Sequence, residues 1–365
     1  MLKNLDIAIK KVRRLPRINL SRRIKLGIRK YVTGYPYYIT VQTVSACNLK
    51  CKHCFINDYH TEIHDGVIRI MKMEEFTVFA ERLAPMIRNA SFFTFSTFEA
   101  ILNKYLFQMM DLILQINPDI RFPFLSNTME LSEEKIRQLE KYPVSEINVS
   151  MDGYIKETVE NFKTEVKFEK IIETIRLLKA SSLRDVVAVT FVAHRDNIHE
   201  LPDYVDFVHQ LGVRRIYVNN VLTFTRSLAP LALYTQEGNS AAQAFFDEAV
   251  RRARGHKISI SIPRLKPKQM GCQTVETFYV DIKGNVAPCD FLGVTTPFTL
   301  WEKTTSNPPV IFGNILKTDP MEIYRSKEAR QFREAHRLGR DLPMQCRNCI
   351  DAYGLMCSNR IHHTA

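Results

Sequence analysis

The sequence predicts an α/β protein, with a partial (β/α)6 TIM-like barrel followed by a small α+β cysteine-rich domain. Two observations predict this architecture. Six strand-like segments alternate with helical segments through the first part of the chain, and such alternation is typical of parallel βα units. After Pro263 the alternation stops, and a hairpin-like segment, a helical stretch and five of the eight cysteines follow.

The strand-like segments are short and rich in β-branched and aromatic residues. The helical stretches show apolar spacing, clearest where Phe168, Ile171, Ile172, Ile175 and Leu178 fall on one face. Right-handed crossovers between such units curl a sheet into a barrel or an open part of one. We expect strands near residues 37–44, 92–95, 121–125, 146–150, 186–192 and 214–221, and helices near 72–87, 101–115, 132–140, 168–180 and 199–211.

The rest of the chain has a different pattern. A helix is predicted near 241–253 and a strand near 258–262. A β-hairpin is then predicted around Lys283-Gly284-Asn285, and a helix near 319–337. The predicted domains are a basic amphipathic arm at 1–35, the barrel at 36–225, a connector at 226–268 and the cysteine-rich domain at 269–365.

Positive charge is concentrated in the arm. The net charge is +12, and residues 1–30 contribute +10 of it through eleven Lys or Arg and the single acid Asp6. We expect this arm either to pack against the barrel or to dock on a membrane surface or an acidic partner. It contains no Phe, Tyr or Trp for base stacking, so we expect no nucleic acid.

The cysteines lie in two groups, three near the front of the chain and five near the back. No apolar run reaches the roughly 18–20 residues that span a bilayer, and the N-terminus lacks the apolar core of a secretory signal. We therefore expect a cytoplasmic protein, either free or held peripherally at a membrane by the arm. In a reducing cytosol, clustered cysteines indicate metal or redox sites rather than disulfides.

The front group has the spacing C-x3-C-x2-C, formed by Cys47, Cys51 and Cys54. Three thiolates in one loop can hold three irons of a 4Fe–4S cluster and leave the fourth iron for a small molecule. A structural zinc site is the alternative, with His53 as the fourth ligand, although its place between the last two cysteines restricts the geometry. The spacing resembles the signature of the radical S-adenosylmethionine (SAM) superfamily. This resemblance implies that SAM binds the free iron and is split reductively into a 5′-deoxyadenosyl radical.

The same resemblance implies SAM contacts at the ends of later strands. Glu99 occupies the acidic position of the family's Gly-Gly-Glu-Pro-like segment, although its glycines and proline are absent here. Asn127 lies in a segment similar to the family's Thr-Asn-Gly, and Ser150 and Asp152 in one similar to its Ser-Leu-Asp-Gly. Arg195, after the fifth strand, is expected to face the SAM carboxylate.

The back group resembles the SPASM and twitch extensions of radical SAM enzymes, with eleven residues between Cys272 and Gly284 and four more before Cys289. Four of the five cysteines suffice for one auxiliary 4Fe–4S cluster, and structural zinc is the alternative. The expected ligands are Cys272, Cys289, Cys346 and Cys349, with Cys357 as an alternative ligand, a substrate-facing thiol or an inert residue. Asp290 matches an aspartate that accepts a proton in related sulfatase-maturing enzymes, which implies a catalytic role.

Three functions are consistent with these features. The first is oxidation or cross-linking of a peptide or protein side chain, with a flavodoxin or ferredoxin as electron donor. The second is dehydrogenation of a small molecule such as a sugar alcohol. The third is a non-catalytic iron–sulfur protein, which the absent glycines near Glu99 would suit. Turnover of SAM to 5′-deoxyadenosine separates the first two functions from the third.

Overall fold

The structure is a computed structural model that describes residues 34–45, 47–54, 69–224, 226–301 and 303–356, together with the backbone of 361–363. The basic amphipathic segment 1–30 and Cys357 lie outside these residues. None of the helices described has the length and apolar character needed to cross a membrane.

The described strands are β1 Tyr38–Val41, β2 Lys50–Cys51, β3 Phe92–Thr94, β4 Phe122–Ser126, β5 Val144–Ser150, β6 Lys163–Thr164, β7 Val187–Ala193, β8 Arg215–Asn220, β9 Ser259–Ile262, β10 Thr277–Val280, β11 Asn285–Ala287, β12 Thr296–Leu300, β13 Lys303–Asn307, β14 Gly313–Asn314 and β15 Ile361–His363. The described α-helices are α1 Met73–Ile87, α2 Leu106–Ile116, α3 Glu133–Leu139, α4 Lys156–Phe162, α5 Phe168–Ala180, α6 Leu201–Gln210, α7 Ser240–Gly255, α8 Pro320–Arg325 and α9 Lys327–Leu338.

Six parallel strands form the partial barrel, in the order β1, β3, β4, β5, β7 and β8. The two sheets that contain them meet at a parallel bridge between Phe92 and Arg121. These are the six strands expected from the sequence, so the predicted α/β fold class is confirmed. The fifth barrel strand, β7, is apolar along nearly its whole length and buried on both faces, as expected for a strand covered on each side.

Helices cover the outer face of this sheet because their apolar residues recur at helical spacing. In α5 the side chains of Ile171, Ile172, Ile175 and Leu178 are buried, while the opposite face carries Lys and Glu. Because the barrel strands are parallel, their carboxyl ends all lie at one rim. The loops that follow those ends form the site.

The sheet extends beyond the barrel at both edges. At one edge β9 pairs parallel with β8, so the segment predicted as a connector contributes a seventh parallel strand. At the other edge β10 pairs parallel with β1, although about 235 residues separate the two strands. The hairpin of β10 and β11 has the predicted turn. Through β10 it extends the barrel sheet into the segment after residue 268, which the sequence predicts as the cysteine-rich domain.

The helix predicted near 319–337 is divided into α8 and α9. Ser326, with φ −54° and ψ 154°, ends α8 in an extended conformation. Its side chain accepts a hydrogen bond from the backbone N–H of Ala329 at 3.2 Å and so caps α9. Because a serine side chain can bond to nearby backbone N–H groups, serine is favoured at a helix cap rather than in a helix interior.

Candidate active site

The front cysteines lie in the loop that follows the carboxyl end of β1. Cys51 belongs to β2, which pairs antiparallel with β6, so that Cys51 lies opposite Lys163. The three side chains are thiols rather than disulfides, and they line one cavity. Burial raises the pKa of Cys51 to about 11, although the neighbouring Lys163 charge acts to lower it.

Asn127 connects this loop to the end of β4. Its side-chain amide donates one hydrogen bond to Cys47 Sγ at 3.4 Å and another to Asn48 Oδ1 at 2.8 Å. An amide N–H that reaches a cysteine sulfur stabilises the thiolate form. Asn127 therefore lies beside the front cysteines and lines the cavity, where the sequence placed it as a cofactor contact.

Glu99 is buried at the cavity wall and is tied to the end of β4. Its two carboxylate oxygens accept hydrogen bonds from the Ser126 hydroxyl at 2.9 Å and from the backbone N–H of Asn127 at 2.7 Å. Burial raises the pKa of Glu99 to about 7 despite these bonds. Glu99 thus fixes the position of Asn127 as well as lining the cavity.

The segment before Glu99 is braced by Gln42, which follows β1. The Ser96 hydroxyl accepts hydrogen bonds from the Gln42 side-chain amide at 3.1 Å and from the backbone N–H of Phe98 at 2.9 Å. The backbone N–H of Thr97 donates to Gln42 Oε1 at 3.1 Å. Side-chain hydrogen bonds therefore shape the loop where the family has glycines.

Ser150 ends β5 and Asp152 follows it, and the two side chains share one cationic partner, Lys163. The Lys163 ammonium lies 2.7 Å from Ser150 Oγ and 2.8 Å from Asp152 Oδ2. Burial is the largest effect and acts to raise the pKa of Asp152, but the Lys163 and His53 charges and the hydrogen bonds from Lys163 and Val192 together lower the net pKa below the usual value. Ser150 and Lys163 line the cavity, whereas Asp152 is 1 % exposed and lies behind them.

Sequence reasoning missed Lys163. The available signal was Asp152 itself, because a buried carboxylate requires a positive partner. Nothing in the local pattern around Lys163 indicated which lysine would supply it.

Arg195 is exposed and does not line the cavity that contains Ser150. Its backbone N–H bonds to Leu231 O at 3.0 Å, which anchors the turn after β7. The neighbouring His194 is buried and stacks on Phe162, with ring centroids 4.0 Å apart.

Four back cysteines line the same cavity, namely Cys272, Cys289, Cys346 and Cys349. All four are thiols rather than disulfides, and burial raises the pKa of Cys272 and Cys289 well above the usual value. The Cys272 thiol donates to Asp351 Oδ2 at 3.0 Å. Buried cysteines of this kind become thiolates when a metal displaces the proton, so both donor sets fit iron–sulfur clusters.

Asp290 lies directly after Cys289 and faces the cavity. Its Oδ1 accepts a hydrogen bond from the backbone N–H of Phe291 at 3.1 Å. Burial raises the pKa of Asp290 to about 6. A carboxylate with this pKa is mostly ionised at neutral pH and is a stronger base than an exposed aspartate.

One cavity of about 570 Å³ connects the two cysteine groups. This volume lies in the range of cofactor and small-ligand sites. The wall between the groups is apolar: Phe98, Phe224, Phe291 and Phe298 pack together, with Cys54 and Cys349 at its margin. A ligand in this space would contact both groups of cysteines and a largely apolar wall.

Comparison with known proteins agrees with this geometry. Residues 41–208 match the model of the Radical SAM superfamily, and residues 272–350 match that of the SPASM iron–sulfur cluster-binding domain. No match was found among curated protein sequences.

Several solved structures share the fold. One is native anSMEcpe with bound AdoMet, with 17 % sequence identity and a TM-score of 0.63, covering 88 % of this chain and 89 % of that one. Native anSMEcpe with bound AdoMet and the Cp18Cys peptide has 18 % identity, a TM-score of 0.61 and 88 % coverage of each chain. Streptococcus suis SuiB bound to the precursor peptide SuiA has 13 % identity and a TM-score of 0.60, covering 96 % of this chain and 82 % of that one.

Proposed function

Because the chain is a radical SAM protein with a C-terminal SPASM-type iron–sulfur domain, we propose that it oxidises or cross-links a side chain of a peptide or protein. The observation that carries this proposal is the single cavity shared by the front and back cysteines. A substrate between them would be close to SAM on one side and to an electron acceptor on the other.

Cys47, Cys51 and Cys54 would hold the front cluster, which would supply the chemistry for reductive cleavage of SAM into methionine and a 5′-deoxyadenosyl radical. Asn127, Glu99 and Ser150 line the cavity next to these cysteines and would orient SAM. Asp152 would act through Lys163, whose position it fixes. A flavodoxin or ferredoxin would supply the electron.

Asp290 would accept the substrate proton that a net two-electron oxidation releases. Its place beside Cys289 puts this base at the back group, where an auxiliary cluster would take the second electron. The apolar wall would exclude water from the reacting atoms, which favours hydrogen abstraction over side reactions.

A peptide substrate is supported by two structures of the same fold. One holds anSMEcpe with the Cp18Cys peptide, and the other holds SuiB with its precursor peptide SuiA. The proposed function extends this type of substrate to the present chain.

The test uses anaerobically reconstituted full-length protein and measures 5′-deoxyadenosine. Changing Cys47, Cys51 and Cys54 to Ala should abolish its formation and reduce the iron content from about eight to about four atoms per chain. The wild-type protein reconstituted in parallel is the control. Continued 5′-deoxyadenosine formation by the triple variant would refute the assignment of the front site.

The substrate class is tested by stimulation of the same reaction. Peptides should increase 5′-deoxyadenosine formation and gain a mass change at a side chain, whereas sugar alcohols should do neither. Stimulation by sugar alcohols alone, with their oxidation, would replace peptide modification by small-molecule dehydrogenation.

A further inference from the structure

His336 lies near the end of α9 and belongs to the wall of the cavity at the back cysteines. The residue is 4 % exposed, and its ring stacks on Phe332 with centroids 5.2 Å apart and an interplanar angle of 20°. The described contacts therefore hold the ring in one orientation, next to a cysteine that the proposed auxiliary site uses.

The hydrogen bond from Cys272 determines which ring nitrogen carries the proton. The backbone N–H of Cys272 donates to His336 Nδ1 at 2.9 Å. A nitrogen that accepts such a bond has no hydrogen of its own, so the ring is neutral and its hydrogen is on Nε2.

The Nε2–H group is buried and has no hydrogen-bond partner among the described residues. Leaving a buried donor unpaired is unfavourable, so an unpaired N–H at a binding site indicates a missing acceptor. The same cavity wall contains Cys272, Cys289, Cys346 and Cys349, whose sulfur atoms become negatively charged acceptors once they bind iron.

We propose that His336 Nε2–H donates a hydrogen bond to a sulfur atom of the auxiliary cluster and thereby raises the reduction potential of that cluster. Reduction adds negative charge to the cluster, so a hydrogen-bond donor stabilises the reduced form more than the oxidised form. Direct ligation through Nε2 is excluded by the tautomer, because it would require an imidazolate ring.

The His336 hydrogen bond involves only the auxiliary cluster of the proposed function and does not depend on the substrate. An unchanged cluster potential would not contradict the proposed function, and a failed peptide assay would not contradict the His336 hydrogen bond. Its consequence is that His336 makes the auxiliary cluster a better electron acceptor.

The first test is a redox titration of the reconstituted full-length protein, followed by electron paramagnetic resonance (EPR). His336→Asn keeps an acceptor near the Nδ1 position and removes the donor at the Nε2 position. His336→Gln keeps a donor near the Nε2 position. The Cys47, Cys51 and Cys54 triple variant assigns the auxiliary signal, and the exposed His199→Asn is the control.

We expect His336→Asn to lower the ratio of reduced to oxidised auxiliary cluster about tenfold at a fixed potential, a shift of about 59 mV to lower potential. His336→Gln and His199→Asn should lie closer to the wild type. An unchanged potential in a fully loaded His336→Asn variant would overturn the proposal.

A second measurement needs no variant and covers the case in which His336→Asn fails to hold its cluster. The wild-type protein is labelled with ¹⁵N-histidine, and pulsed EPR of the reduced auxiliary cluster is recorded. A weak ¹⁵N coupling is expected for a hydrogen bond. Absence of coupling, or the strong coupling of a directly bound nitrogen, would overturn the proposal.

Discussion

Single side chains determine the shape of the loops that line the cavity in this protein. Where the family has glycines, the Ser96 hydroxyl accepts a hydrogen bond from the Gln42 side-chain amide, and the backbone N–H of Thr97 donates one to Gln42 Oε1. These bonds fix the loop. Where a buried carboxylate follows β5, Lys163 neutralises it. Both segments thus depend on a specific partner elsewhere in the chain.

Glu99 gives a prediction of pH-dependent stability. Its folded pKa of about 7 lies above the ordinary value of 4.5, so the folded state holds the proton more tightly than the unfolded state. The resulting stabilisation is complete below pH 4.5 and is lost as the pH rises through about 7. Between pH 5 and 8 this loss amounts to at most about 3 kcal/mol.

Glu99→Gln should therefore flatten the dependence of unfolding free energy on pH in that interval. Gln can still accept from Asn127 and donate to Ser126, so the fold should persist. Urea unfolding of the iron-free protein at several pH values measures the effect, with the exposed Glu134→Gln as control. An unchanged slope in Glu99→Gln would show that Glu99 does not titrate as assigned.

At the scale of elements, short segments between strands and helices hold the cysteines in place. The two-stranded pairing of β2 with β6 fixes Cys51 opposite Lys163, and the turn before Cys272 packs directly on the end of α9. These segments are too short to be stable alone, so their positions depend on the elements beside them.

Gly271 is the residue where this packing is tightest. Its φ is +73°, and a Cβ atom added there would lie 2.0 Å from the backbone carbonyl oxygen of His336. Gly271→Ala must therefore displace the turn or α9, in addition to the strain of a left-handed conformation.

We expect Gly271→Ala to reduce bound iron from about eight to about four atoms per chain while 5′-deoxyadenosine formation without substrate continues. Gly255→Ala is the matched control, because a Cβ added there would meet no described atom within 4 Å beyond its chain neighbours and its own helix backbone. Iron analysis and the melting temperature measure the effect. Full iron loading with an unchanged melting temperature in Gly271→Ala would contradict this packing argument.

For the whole molecule, the cysteine-rich part continues the barrel sheet. Strand β10 pairs with β1, and the Arg82 side chain of α1 donates to Ile315 O at 2.7 Å and to Thr318 O at 2.9 Å. Without these partners β1 would become an unpaired edge, which favours aggregation.

A chain that ends at residue 268 should therefore lose the cooperative unfolding of the full-length protein and aggregate, although it retains all six barrel strands. Circular dichroism melting and size-exclusion chromatography measure this outcome. A monomeric 1–268 fragment with one sharp transition would show that the two parts are independent domains.

The sequence by itself determined the α/β class, the six barrel strands and the two cysteine groups. These follow from local signals, since strand and helix periodicity and the C-x3-C-x2-C spacing are written in neighbouring residues. It also determined the charge of the arm, whose docking stays a prediction.

Only the tertiary structure decided which distant residues meet. Lys163 pairs with Asp152, β10 pairs with β1, and Cys272 bonds to His336 although 64 residues separate them. The shared cavity, the position of Arg195 away from it and the tautomer of His336 also depend on such contacts. Burial creates the need for a polar partner, but the path of the whole chain determines which residue supplies it.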